Sequence, residues 1–123
     1  MTSKTIKGSC HCGAVKYRFN DTPDFALKCN CSMCLKLGAL WVYSHADNVE
    51  IIAKPNVTIA YSYGDKNLAF HSCKTCGCTT HWVKLKGDIA AKKAVNLNLA
   101  DPQQINQIKQ RNFDGADSWK FLD

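Results

Sequence analysis

The chain has 123 residues, 46% hydrophobic and 21% charged, with a formal net charge of +6 and eight cysteines. That length predicts a single domain over residues 1–123, small enough to gain from a metal staple, and the composition excludes disorder. No run approaches the roughly eighteen apolar residues a membrane-spanning helix needs. The basic charge is spread over the chain, with no basic block or interleaved aromatics to argue for nucleic acid, although a positive field favours a small anionic ligand.

In chain order, Met1 to Gly8 lacks the apolar core of a signal peptide, which predicts a cytoplasmic protein. Gly8-Ser9-Cys10-His11-Cys12-Gly13 is a glycine-flanked Cys-x-Cys, and the strict alternation after it predicts a half-buried strand with Val15, Tyr17 and Phe19 inward. Asn20 to Asp24 is a turn. Phe25 to Lys28 is a short strand leading into Cys29-Asn30-Cys31-Ser32-Met33-Cys34, with one helical turn expected over Leu35 to Gly38. Strands are expected over Leu40–Ser44, Asn48–Ile52 and Val57–Tyr63. Leu68 to Ser72 runs into Cys73-Lys74-Thr75-Cys76-Gly77-Cys78, a zinc-knuckle pattern in which glycine takes the left-handed conformation that the tight turn requires. Thr79–Leu85 and Val95–Leu99 read as further strands. Asp101-Pro102-Gln103-Gln104 starts a helix, with Asp101 as N-cap, Pro102 in the first turn, Gln104 three residues after the cap, and Ile105 and Ile108 as its apolar face. Asn112 to Trp119 reads as a loop pinned by Phe113 and Trp119. The sum is a mostly β chain with one or two short helices.

The cysteines carry the chemistry. They fall in three tight groups rather than being dispersed as in a disulfide scaffold, and close spacing is how metal ligands occur. Two all-cysteine sites would use eight thiols, and one closed site plus one three-cysteine site would use seven. Cys10 and Cys12 need a remote pair, and Cys73 with Cys76 is the natural one, closing a long loop through a structural metal. Cys29, Cys31 and Cys34 then hold a second metal, with Cys78 free to join either site. A fourth protein ligand would make that second site structural, whereas an open position lets it be catalytic.

Gly8 to Val15, Cys29 to Cys34 and Phe70 to Gly77, followed by Phe113-Asp114-Gly115, occur in an order and at separations that resemble the glutathione-dependent formaldehyde-activating enzyme family, whose domain is shared with centromere protein V. The resemblance covers nearly the whole chain. It implies several small coiled antiparallel sheets around two zinc ions. Cys10, Cys12, Cys73 and Cys76 would hold the structural zinc, and Cys29, Cys31 and Cys34 the catalytic one. It also implies a carbon–sulfur lyase that interconverts S-hydroxymethylglutathione with glutathione and formaldehyde, so the partner would be a small thiol. Cys78 departs from the family pattern, which has a small or hydroxyl residue there. Two readings compete with the lyase: a non-catalytic zinc-stabilised module for a macromolecular partner, and a rubredoxin-type iron site.

Among the other residues, Lys28 and Lys36 could offset the charge of three thiolates or hold a substrate carboxylate, against the simpler reading that they are solvated. His11 should be on the surface, His71 and His81 satisfied within a sheet, and His45 unconstrained at a strand end. Trp41, Tyr43 and Trp82 read as core or pocket lining. Ser32 is expected to cap the turn or a thiolate.

Overall fold

A computed structural model describes residues 5–87 and 92–123. The small sheet is built from β1 (Thr5–Ser9), β2 (Val15–Asn20) and β5 (Val49–Ala53), in the order β1-β2-β5 and antiparallel throughout. The large sheet has seven strands: β3 (Ala26–Cys29), β4 (Trp41–Ser44), β6 (Thr58–Tyr61), β7 (Leu68–Cys73), β8 (Thr79–Lys84), β9 (Lys93–Asn96) and β10 (Gln110–Phe113). Their order is β10-β3-β4-β9-β8-β7-β6. Two short helices complete it, α1 (Ser32–Leu37) and α2 (Pro102–Asn106). The mostly β expectation holds, but one pair, β3 and β10, is parallel. None of the described helices is long and apolar enough to cross a membrane.

Side-chain alternation gives the large sheet two different faces. One face carries Val42 and Val95, which pack with Ile6, Tyr17 and Phe19 of the small sheet into a continuous core; Ile105 and Ile108 close its edge. The other face carries Trp41, Phe70 and Ala94, packed with Leu27, Leu68, Trp82 and the thiols of Cys29, Cys31 and Cys34. Val15, Tyr17 and Phe19 are buried as their alternation predicts. Buried Asn96 links the layers: its side chain accepts from the Leu40 N–H and donates to the Thr79 carbonyl, while its own carbonyl accepts the Tyr17 hydroxyl at 2.9 Å. Gly8 makes room for that tyrosine, since a Cβ there would lie 2.3 Å from the ring.

Several local expectations shift. Residues 97–99 form a 3-10 turn rather than continuing the strand, because the Asn96 side chain accepts the Asn98 N–H and caps it. The helix near Leu35 begins earlier, at Ser32, inside the cysteine loop. Cys31 rather than Ser32 is its N-cap, taking the Cys34 N–H on its sulfur. Asp101 caps α2 as expected, whereas the Gln104 side chain donates to the Thr5 carbonyl rather than back to the cap. The presumed tail loop starts as β10, with the predicted Phe113–Trp119 contact intact at 5.0 Å.

Candidate metal centres and the cavity beside them

Two thiol pairs sit at the ends of hairpins and form one cluster. In the β1–β2 connection the Cys10 N–H bonds the Val15 carbonyl, the Gly13 N–H returns to the Cys10 carbonyl, and the Val15 N–H points at the Cys10 sulfur at 3.3 Å. The β7–β8 connection repeats this design: the Cys73 N–H bonds the Cys78 carbonyl and the Gly77 N–H bonds the Cys73 carbonyl, with Gly77 at φ +82°. The two turns face each other and bring the sulfurs of Cys10, Cys12, Cys73 and Cys76 within 4.8 Å of one another, a set that could hold a metal ion. Cys12 lies 3.7 Å from Cys10 and 3.6 Å from Cys73, sulfur to sulfur. A tetrahedral site with bonds of about 2.3 Å has sulfur–sulfur edges of roughly 3.8 Å, so the spacing fits zinc. All eight thiols are unbridged.

The electrostatics of this set also ask for a cation. N–H groups of Cys78 and Cys12 donate to Cys76 and hold it down at about 5. The Ala14 N–H favours ionisation of Cys12, but the Cys73 thiol, burial and the Cys10 and Cys76 thiols outweigh it and push Cys12 up to about 11. Adjacent sulfurs thus compete for negative charge, and a metal would let all four ionise. Cys78 belongs to this end of the molecule. Its sulfur takes the His11 N–H and neighbours Cys76 and Cys10.

The second cluster, Cys29, Cys31 and Cys34, also has its sulfurs within 4.8 Å of one another, and no fourth His, Cys, Asp or Glu joins it among the described residues. Its backbone is preorganised: the Cys31 N–H donates to the Cys29 sulfur at 3.4 Å, the Cys34 N–H to Cys31 at 3.3 Å, and the Trp41 indole N–H to Cys34 at 3.4 Å. Burial pushes the Cys34 thiol up, opposed by that indole. Burial also opposes ionisation of Cys31, yet the N–H of Cys34 and the flanking thiols outweigh it and hold Cys31 down.

The tail locks this loop. Phe113 pairs with Cys29 in the parallel register, and the Asn30 N–H bonds the Phe113 carbonyl at 3.1 Å. The Asn30 side chain then donates to Asp114 and accepts from the Ala116 N–H. Asp114 is held below the usual carboxylate range by Ser118, through its N–H and hydroxyl, and by Asn30. Gly115 lies so close that a Cβ there would be 2.5 Å from the Cys29 sulfur.

The three thiols open into a cavity of about 680 Å³ on the outer face of the large sheet. Its walls are aromatic: Trp41, Tyr43, Phe70 and Trp82 from the sheet, Tyr63 from the β6–β7 turn, and Phe113, Trp119 and Phe121 from the tail. Tyr63 stacks on Phe70, and burial with the Cys31 thiol nearby pushes its hydroxyl pKa up. Trp119 is 71% exposed and holds a left-handed φ of +60°, a strained conformation for a bulky residue, at the cavity edge. Among the described residues, the charged side chains in the wall are Lys84, Lys92 and Asp65.

The model of the family described as glutathione-dependent formaldehyde-activating enzyme matches residues 5–113. The chain belongs to this family. A crystal structure of a Rhodobacter sphaeroides protein is similar at 25% identity with a TM-score of 0.67, covering 85% of this chain and 98% of that one. No curated protein sequence matches. The family match ends at Phe113, so Gly115, Trp119 and Phe121 wall the cavity from beyond the matched segment.

Within this family member, then, each predicted ligand group is brought together and Cys78 is not drawn to the open one. Lys28 and Lys36 are exposed and absent from the cavity wall; the lysines that line it are Lys84 and Lys92. His11 is exposed, and His45 caps a 3-10 turn. His71 and His81 stack at 4.6 Å, each bonded through Nδ1 to a threonine. The alternation of β8 does place Lys84 on the same face as Trp82, but nothing local marks that face as a cavity rather than solvent.

Proposed function

We propose that the protein is a cytoplasmic, single-domain, zinc-dependent carbon–sulfur lyase acting on a glutathione-type thiol adduct, S-hydroxymethylglutathione or a relative. Two zinc ions per chain belong to this reading, a structural one at Cys10, Cys12, Cys73 and Cys76 and a catalytic one at Cys29, Cys31 and Cys34. The observation that carries it is a three-thiol set with no fourth protein ligand among the described residues, opening directly into a cavity.

When bound there, zinc supplies Lewis acidity, lowering the pKa of a thiol and favouring its departure as thiolate. The chain's own groups do the rest. The N–H groups of Cys31, Cys34 and Trp41 disperse charge on the ligand sulfurs and fix their directions. The aromatic walls exclude water and strengthen electrostatic contacts inside. The Tyr63 hydroxyl, within reach of Cys31, is placed to hydrogen-bond the oxygen of the adduct. In the lyase direction the carbon–sulfur bond breaks with its electron pair going to sulfur. The hydroxyl oxygen loses its proton as the carbonyl of formaldehyde forms.

Native mass spectrometry of protein purified without added metal, before and after reduced glutathione, tests the reading. Two zincs with one exchangeable, or a glutathione adduct, together with turnover of S-hydroxymethylglutathione, are expected. Two zincs indifferent to thiol, and no turnover, would refute the lyase and favour a binding module.

A further inference from the structure

Two lysines on the cavity wall are arranged in a way that folding alone does not favour. Trp82 pairs with Ala94 and Val83 with Lys93 in the antiparallel β8–β9 register. Carried one residue further, that register sets Lys84 across from Lys92 on the face that Trp82 and Ala94 share. Like charges directly opposite on neighbouring strands repel. A carboxylate usually relieves such a pair, yet neither lysine is in an ion pair among the described residues. Lys92 instead lies over the Tyr43 ring, 5.2 Å from its centroid, which holds the ammonium against the cavity wall. Lys84 is half-buried. Asp65, the one carboxylate in the wall among the described residues, sits on the β6–β7 turn and forms an ion pair with neither.

Building on the lyase reading above, we propose that Lys84 and Lys92 clamp carboxylate on the substrate at a fixed distance from its sulfur. The sheet sets that distance. Cys29 ends β3, and the strand order β3-β4-β9-β8 puts Lys92 two strands away and Lys84 three. At a strand spacing of about 4.8 Å these strands lie roughly 10 and 14 Å from β3, and the registers through Leu27, Trp41 and Asn96 set both lysines about six residues, roughly 20 Å, along the strands from Cys29. A substrate sulfur at the three thiols therefore reaches the lysines only if its carboxylates are several bonds away. Between the two ends Trp41, Tyr43 and Trp82 offer aromatic surface for the connecting chain. The substrate class is an extended, carboxylate-terminated thiol adduct, as a peptide thiol would be; a compact mercapto acid would reach one end only.

The three tryptophans of the chain all line the cavity, so intrinsic fluorescence reports its occupancy. The test titrates the zinc-loaded, full-length protein with glutathione, with its diethyl ester, with mercaptoacetate and with glutarate, a dicarboxylate that has no thiol. Wild-type protein should bind glutathione and glutarate, with affinity falling as salt rises. Lys84→Gln with Lys92→Gln should weaken both by about tenfold and leave the ester unchanged. Lys28→Gln, exposed and away from the wall, should leave all four as they are. Mercaptoacetate should be insensitive to the lysines. Glutarate failing to bind, glutathione binding equally well to the double variant, or ester and acid binding alike would each overturn the clamp. The two ideas fail separately. Lysine-dependent glutarate binding without thiol turnover would refute the lyase and keep the clamp. Turnover indifferent to both lysines would do the reverse.

Discussion

Gly115→Ala tests whether the tail shapes the open thiol site. The new Cβ would lie 2.5 Å from the Cys29 sulfur, 3.4 Å from the Cys31 Cβ and 3.6 Å from the Trp119 ring. Only the first contact is impossible, about 1 Å short of normal packing distance. Gly115 does not hold a left-handed φ, so the effect is steric rather than conformational. Relief has two routes. Cys29 can rotate, which takes its sulfur out of the set within 4.8 Å, or the tail can withdraw, which breaks the bonds of Asn30 to Asp114 and Ala116. Overpacking of this kind costs about 1–3 kcal/mol, and disturbing the support of a metal ligand costs roughly 10–100-fold in affinity. Zinc transfer to a colorimetric chelator should therefore become biphasic. One ion should leave at the wild-type rate and the other 10–100 times faster. If Gly115→Ala holds both ions with wild-type kinetics, the tail does not position Cys29 and the steric argument is wrong.

Asn30→Ala removes two hydrogen bonds between the cysteine loop and the tail; urea unfolding should show a loss of about 1–2 kcal/mol, and the faster-leaving zinc should be the one affected. Trp41→Phe keeps an aromatic ring against Phe70 but deletes the N–H donated to Cys34. Affinity for the second metal should fall about tenfold, read by chelator competition, with the thermal midpoint lowered little. Burial, with His71 and Lys93 nearby, holds His81 down at about 3 in the folded chain, against an ordinary value of 6.5. Above pH 6.5 both states are neutral and His81 contributes nothing; as pH falls towards 3 the unfolded chain takes up a proton that the folded chain refuses. Stability should decline by up to about 1.4 kcal/mol per pH unit in that window. His81→Gln should flatten this slope between pH 6.5 and 5, measured by urea unfolding with both metals retained; equal slopes would refute the assignment.

Much of this could be read from the residues, and the boundary between what could and what could not is physical. Cys10 with Cys12 and Cys73 with Cys76 sit on tight turns whose glycines impose the bend, so local spacing determines most of the geometry. The inward set Val15, Tyr17 and Phe19 follows from period two alone. What escaped depends on register between distant segments. Nothing in Gln110 to Phe113 announces a parallel partner, yet that pairing lays Phe113-Asp114-Gly115 over Cys29. Trp41, Tyr43 and Trp82 have the composition of core, and their position on a cavity wall follows only from which face the small sheet leaves bare. Lys84 and Lys92 look like ordinary surface lysines until β8 and β9 are paired. Lys28 and Lys36 were attractive because they are near the thiols in sequence, but both are exposed and lie outside the cavity wall.

Cys78 is kept away from the second thiol cluster by the fold. Eight sulfurs could in principle fill two tetrahedral sites, and counting alone cannot say otherwise. The β7–β8 turn decides it. Its ladder bond from the Cys73 N–H to the Cys78 carbonyl fixes Cys78 beside the knuckle, and the His11 N–H from the opposite turn meets its sulfur. To reach the cluster on β3 and α1, Cys78 would have to leave that hairpin and give up the ladder bond. That bond is worth about 1 kcal/mol, with the packing against Cys10 and Val15 lost besides. The eighth thiol therefore sits beside the set of four that could hold a metal ion. The three on the far loop are left facing a cavity, with no fourth His, Cys, Asp or Glu beside them among the described residues.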